Sequence, residues 1–255
     1  MNKSGKLLGK VALVTGGGSG IGRITALEYA KEGANVVVVD VNPAASETVA
    51  NEINALGVEA ISIVTDVAQA NQVQQMVAQA VARFGQLDIA FNNAGIEIEH
   101  EPLAQASEAD FDKLMAINVK GVWLCMKYEI EQMMKQGSGA IINTSSVGGI
   151  VGAGRNPIYS ATKHAVIGLT RSAAIEYSRF GIRINAVCPG VIGTDMMNRA
   201  IERDARREKF LAKSHPVGRV GEAEEVARAV VFLSSDDASF VMGTPLMVDG
   251  GFTAI

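Results

Sequence analysis

The chain has 255 residues, 48% of them apolar and 5% aromatic, with a formal net charge of −4. That length suits a single α/β domain over residues 1–255 with an aliphatic core, since parallel strands buried on both faces read as Val/Ile/Leu runs. Mild acidity without a basic patch excludes a nucleic-acid partner, and no apolar run approaches the roughly 18 residues that cross a bilayer.

The first predicted strand, Val11–Thr15, runs into Thr15-Gly16-Gly17-Gly18-Ser19-Gly20-Ile21-Gly22, and a helix follows over Ile21–Lys31. A phosphate held at a helix N-terminus needs backbone N–H donors without side chains in the way. Gly16 is therefore read as the tight turn, Gly20 as the close approach and Gly22 as the helix–strand contact. The second strand, Asn35–Val39, leads to Asp40, 18 positions after Gly22. A carboxylate there can accept from a ribose 2′-OH and would repel a 2′-phosphate, so NAD is favoured over NADP. Asp40 could instead be a turn or cap residue, but Asn42 before Pro43 can serve as the cap, which leaves Asp40 free.

A helix over Pro43–Leu56 precedes a third strand, Glu59–Val64, and then Asp66-Val67. A helix over Asn71–Arg83 precedes the strand Leu87–Asn92, which ends in Asn92-Asn93-Ala94-Gly95. In an open parallel sheet these strand ends share one edge with the glycine loop. Beyond them, Glu97, Glu99, His100 and Glu101 form an acidic run beside the cleft, read as a solvated loop or as a cluster that repels anionic substrates.

The pattern over Glu108–Lys135 reads as one long helix, with Trp123 fitting a core or a subunit interface and core the first expectation. The strand Ala140–Thr144 ends in Asn143-Thr144-Ser145-Ser146. A helix over Ile158–Phe180 carries Tyr159 and Lys163, four residues apart and so on one face. An ammonium beside a phenol favours the phenolate and lowers its pKa, which suits proton transfer at neutral pH. The strand Arg183–Cys188, the helix Glu222–Leu233 and the strand Pro245–Val248 complete the alternation. Helices stop at Gly33, Gly57, Gly85 and Gly181. The segment Thr194–His215, with Met196, Met197 and several Arg, reads either as a solvated helix pair or as a small helical flap over a cleft. Cys125 and Cys188 follow no metal or redox spacing and read as buried thiols. With no apolar leader, a cytoplasmic protein is expected.

Thr15–Gly22, Asn92–Gly95, Asn118, Ser146, Tyr159 with Lys163, Pro189-Gly190 with Thr194, and Val248-Asp249-Gly250-Gly251 together resemble the short-chain dehydrogenase/reductase family in its single-domain form. The likeness runs along essentially the whole chain. It implies a Rossmann-type, doubly wound parallel sheet of seven strands with helices on both faces. It implies Tyr159 as general acid/base, Lys163 lowering its pKa and binding the nicotinamide ribose, Ser146 orienting the substrate oxygen, and Asn118 holding a water in a proton relay. The spacing to Tyr159 favours Ser146 over Ser145. NAD contacts are implied for Gly16, Ser19, Gly20, Ile21, Gly22, Asp40, Asp66, Val67, Asn93, Ala94, Gly95, Tyr159, Lys163, Pro189, Gly190, Ile192 and Thr194. Substrate contacts are implied for Ser146, Val147, Gly148, Arg155, Tyr159 and Met196. No metal is implied, and the family suggests a homotetramer.

The reaction so implied is NAD(H)-dependent interconversion of a secondary alcohol and a ketone or aldehyde. The alternatives are a non-catalytic NAD-binding sensor on the same fold, an NADP-dependent carbonyl reductase, and an epimerase or dehydratase, against which the Gly16–Gly20–Gly22 spacing argues.

Overall fold

Side chains alternate across a β-strand, and here both alternations are apolar. The computed structural model describes residues 5–98, 101–194 and 212–254. Its strands are β1 (Val11–Thr15), β2 (Asn35–Asp40), β3 (Ala60–Val64), β4 (Ile89–Asn92), β5 (Gly139–Thr144), β6 (Ile182–Pro189) and β7 (Pro245–Val248). They form one sheet in the order β3-β2-β1-β4-β5-β6-β7, each neighbouring pair parallel.

The helices are α1 (Gly20–Lys31), α2 (Pro43–Ala55), α3 (Ala70–Phe84), α4 (Glu108–Leu114), α5 (Val122–Gln136), α6 (Pro157–Tyr177) and α7 (Ala223–Ser234). Ala12, Val14, Val36, Val38 and Phe91 face one core, built with Ala26 and Tyr29 of α1, Ile53 of α2 and Val226 and Val230 of α7. Val11, Leu13, Val37, Val39 and Ile141 face the other, with Val73 and Met76 of α3, Cys125 and Met133 of α5 and Val166 of α6. Each such aliphatic side chain contributes about 1.5–3 kcal/mol on burial. Polar ties set helix positions: the Tyr29 hydroxyl meets Ser234 Oγ at 2.7 Å, and the Arg183 guanidinium donates to the carbonyls of Leu233, Ser234 and Ser235 at the end of α7.

The pattern over Glu108–Lys135 does not fold as one regular helix. A π-helical turn, Met115–Gly121, separates α4 from α5. Asn118 in that turn bonds both backbone groups of Ile96, which holds the widened turn in place. Gly121 lets it close on β3's following loop, because a Cβ there would lie 2.8 Å from Val67 Cγ2. Trp123 is not a core residue: it is 47% exposed. The buried stripe of α5 runs through Val122, Cys125, Met126, Glu129, Ile130 and Met133, and Trp123 lies off it. Among the described residues no helix is long and apolar enough to cross a membrane.

The strand order reverses between β1 and β4, so the loops after these strands part and leave a crevice at the carboxyl edge of the sheet.

Candidate active site

The loop after β1 is built by close approach. Gly16 and Gly20 have φ of +63° and +52°, which other residues adopt only under strain. A Cβ on Gly22 would sit 2.1 Å from the Gly16 carbonyl oxygen, so α1 can pack against its own entry turn only with glycine there. Ser19 precedes α1 but its side chain makes no capping bond, so the first-turn N–H groups remain available beside the cavity that Gly16, Ser19, Gly20 and Ile21 line.

Asn42 caps α2, its side chain accepting from Ala45 N–H at 3.2 Å. Asp40 is not free, however. Its two oxygens accept from the N–H groups of Gly18 and Asn42, each at 3.0 Å, because the glycine loop folds back over the end of β2. The carboxylate still lines the cavity and retains lone pairs for a further donor. Asp66 and Val67 line the same end.

Across the crevice, Thr15 Oγ1 accepts from the N–H groups of Asn93 and Ala94 at 3.0 and 3.1 Å. Asn93 returns its amide to the carbonyls of Thr15 and Gly16. These bonds clasp the loops after β1 and β4 around Gly95. A Cβ on Gly95 would lie 3.3 Å from Asn118 Oδ1 and 3.5 Å from Lys163 Nζ, which places those two side chains at the same spot.

Ser145 and Ser146 divide their work. Ser145 is buried and donates to the Lys163 carbonyl at 2.9 Å, fixing α6 to the end of β5. Ser146 lines the cavity, accepts from Gly148 N–H at 3.1 Å and stands beside the Tyr159 side chain, whose pKa it lowers. Lys163 Nζ donates to the Thr144 carbonyl at 2.9 Å and stands 5.5 Å from the centre of the Tyr159 ring.

The charges differ from the sequence expectation. Burial pushes the Tyr159 phenol up, with Glu97 adding to the rise and the Ser146 hydrogen bond opposing it. Lys163 is itself pushed down to about 8 by burial. Enclosure therefore outweighs the ammonium as the chain stands alone.

Ser146, Val147, Gly148, Arg155, Tyr159, Lys163, Asn93, Ala94, Gly95, Pro189, Gly190, Ile192 and Thr194 all line the one cavity, of about 850 Å³, that also contains the glycine loop and Asp40. Gly22 and Asn118 stand behind it. Met196 and most of the expected flap lie outside the described residues. One feature had no sequence signal. Val191 N–H donates to His215 Nε2 at 3.1 Å, bracing the turn after β6 from a position distant in the chain. Glu97, from the acidic run beside the cleft, lines the cavity and accepts from the Asn156 amide at 2.7 Å.

A crossover sheet with a glycine cradle at its switch point, joined in one cavity to a Ser–Tyr–Lys cluster, is the architecture of one enzyme family. The chain belongs to the short-chain dehydrogenase/reductase family. The family described as "Enoyl-(Acyl carrier protein) reductase" matches residues 16–253. A 2,5-dichloro-2,5-cyclohexadiene-1,4-diol dehydrogenase of Sphingobium indicum is 50% identical over 98% of this chain and 99% of that protein. A cyclohexanol dehydrogenase of an Acinetobacter species is 43% identical over 98% of both. The crystal structure of levodione reductase superposes with a TM-score of 0.94 at 42% identity, covering 97% of this chain and 99% of that one. Similar solved chains include an NAD+-bound xylitol dehydrogenase and ElxO with NADP bound, at 36% and 35% identity. The chain is an oxidoreductase of this family, acting on CH–OH groups.

Proposed function

We propose that this enzyme is NAD-dependent and interconverts a neutral, ring-bearing secondary alcohol and its ketone, with Tyr159 as the general acid/base. The observation that carries the reading is the clustering of Ser146, Tyr159 and Lys163 in the cavity that also holds the glycine loop and Asp40, with Lys163 Nζ 5.5 Å from the centre of the Tyr159 ring.

A nicotinamide cofactor, when bound, supplies the hydride acceptor or donor. The uncapped first turn of α1 offers N–H donors to its pyrophosphate, with Gly16, Ser19, Gly20 and Ile21 at the wall and Gly22 allowing the approach. Asp40 would take the adenine ribose hydroxyl and Asp66 and Val67 the adenine. Asn93, Ala94 and Gly95 shape the crevice, and Pro189, Gly190, Ile192 and Thr194 bound the nicotinamide side. The preference for NAD is supported by charge: the described cations lining the cavity are Arg155 and Lys163, and neither adjoins Asp40.

In oxidation the Tyr159 phenolate accepts the alcohol proton. Ser146 donates to the same substrate oxygen and stabilises charge developing there. The Lys163 ammonium favours the phenolate, and Asn118, tied to Ile96 and Thr162, holds the relay behind it. Val147, Gly148 and Arg155, which line the cavity, would face the rest of the substrate. The ring-alcohol class is supported by the names of the relatives above and by the small and apolar lining. Ile175, 80% exposed on α6, and Trp123 on α5 support assembly as a homotetramer through those helices.

The test pairs a ligand titration with one variant. NADH is expected to bind at least about tenfold more tightly than NADPH, about 1.4 kcal/mol. Tyr159→Phe is expected to lose about 10³-fold or more in turnover of cyclohexanol while NADH binding stays within about threefold. A variant that keeps turning over removes Tyr159 from the reaction.

A further inference from the structure

The cavity has three acidic side chains among its described lining. Asp40 and Asp66 stand at the ends of β2 and β3, where the cofactor reading accounts for them. Glu97 does not belong to that group. It follows β4 on the opposite side of the glycine loop, is half-buried, and stands close enough to Tyr159 and Lys163 to act on both electrostatically.

Its position is built. Asn156 donates from Nδ2 to Glu97 Oε1 at 2.7 Å. Asn156 is itself fixed at the entry of α6, three residues before Tyr159: its N–H reaches the Ala153 carbonyl and its carbonyl takes Ser160 N–H. The preceding residue, Arg155, has φ of +66° and is the sole non-glycine with positive φ among the described residues. Such backbone costs about 1–2 kcal/mol, so the lip is held in that turn by its surroundings. The turn delivers the Asn156 amide to Glu97. The other oxygen of Glu97 has no hydrogen-bond partner among the described residues.

The cavity that Glu97 lines also carries Ile96, Val147, Ala153 and Val191, and a carboxylate oxygen facing such a cavity is satisfied only by a donor. A hydroxyl is such a donor. A carbonyl or ether oxygen at the same place would oppose lone pairs, and a carboxylate would be repelled.

We infer that Glu97 is a specificity-determining residue that accepts a hydrogen bond from a second hydroxyl of the substrate, so that the enzyme selects diols over mono-alcohols. This deepens, and rests on, the alcohol dehydrogenase reading above. Glu97 takes no proton and forms no covalent bond. The reacting hydroxyl gives its proton to Tyr159 while its carbinol carbon gives up the hydride that a bound nicotinamide would accept, and the second hydroxyl leaves unchanged on the hydroxyketone product.

Substituting Glu97→Gln makes the sharpest probe. Its carbonyl keeps the Asn156 bond and turns an NH₂ donor toward the cavity, reversing the hydrogen-bond sense there. With NAD, kcat/KM is measured for cyclohexanol, the cyclohexane-1,2-, 1,3- and 1,4-diols, and the matching hydroxycyclohexanones. The wild type is expected to favour at least one diol over cyclohexanol by about tenfold or more, the scale of a hydrogen bond to a charged group. In E97Q that ratio is expected to fall by about tenfold, and the hydroxyketone-to-diol ratio to rise. Asn156→Ala, which unpins the carboxylate, is expected to lower the diol preference in the same direction, and decides the matter if E97Q fails to bind NADH. A wild type without diol preference, or ratios unchanged within about twofold in the variants, overturns the inference while leaving the dehydrogenase reading standing. A wild type that turns over no alcohol or ketone with either cofactor overturns both.

Discussion

Asn92 donates from Nδ2 to Glu129 Oε2 at 2.9 Å inside the protein, and neither Asn92 Oδ1 nor Glu129 Oε1 has a partner among the described residues. Two acceptors cannot satisfy each other, but one proton on Glu129 converts the pair into a reciprocal acid–amide contact. Burial accordingly pushes the Glu129 carboxyl up to about 8, against the Asn92 hydrogen bond, which lowers it. The native state then keeps a proton that the unfolded chain releases near the ordinary value of 4.5. Below that value the stabilisation is complete. It drains away as pH rises toward 8, because the unfolded state alone gains by ionising. Glu129→Gln supplies the missing donor without a titration. We expect it to match the wild type near pH 4.5 and to exceed it by about 3 kcal/mol near pH 7. Parallel curves of Tm against pH for the two proteins would contradict this.

Lys163 has the opposite sign. Its native pKa of about 8 lies below the ordinary 10.5. The cost of burying its charge is full below pH 8 and fades as pH rises from 8 to 10.5, where the native state sheds the proton first. Lys163→Met is therefore expected to be more stable than wild type by about 2 kcal/mol at pH 7, with the gap closing above pH 8, while turnover is lost. Urea denaturation at pH 7 and pH 10 checks it. A variant less stable than wild type at pH 7 would mean that the Thr144 carbonyl contact outweighs desolvation.

Asp40 serves two masters, the glycine loop and the ribose it is proposed to bind. Asp40→Asn retains one acceptor oxygen and removes the charge. Its loop bonds to Gly18 and Asn42 should weaken by about 1 kcal/mol in total. The ratio of NADPH to NADH affinity should rise by about tenfold or more, since a 2′-phosphate no longer meets a carboxylate. Fluorescence titration with both cofactors reads the ratio, and no change in it would leave Asp40 as a loop residue alone.

Gly22→Ala would set a methyl carbon 2.1 Å from the Gly16 carbonyl and 2.6 Å from Asn93 Nδ2. The helix must shift away from its entry turn, at about 2 kcal/mol or more. We expect a lower Tm together with at least about a tenfold loss of NADH affinity, because the same N–H groups lose their aim. Unchanged binding would show that α1 can move without disturbing the cradle.

Much of this protein is written locally. Four consecutive valines before Asp40 can only be a strand buried on both faces, and a strand–glycine–helix succession repeated along the chain dictates parallel crossovers. Gly16, Gly20 and Gly22 announce themselves because their backbone roles forbid side chains, and Tyr159 and Lys163 because helical spacing pairs them. What sequence spacing cannot carry is contact between distant segments. That Glu97 turns inward depends on Asn156, 59 residues away, and that the turn after β6 rests on His215 depends on a bond across 24 positions. The π turn at Asn118 has no local signature, since its cause is the backbone of Ile96. Trp123 reads as core by its apolarity, yet the buried stripe of α5 passes beside it. The sign of the Tyr159 shift follows from enclosure, a property of the assembled walls, rather than from the lysine four residues on. Period and backbone constraint determined the fold and the reacting residues; desolvation and long-range hydrogen bonds, which exist only once the walls meet, decided the charges and the shape of the pocket.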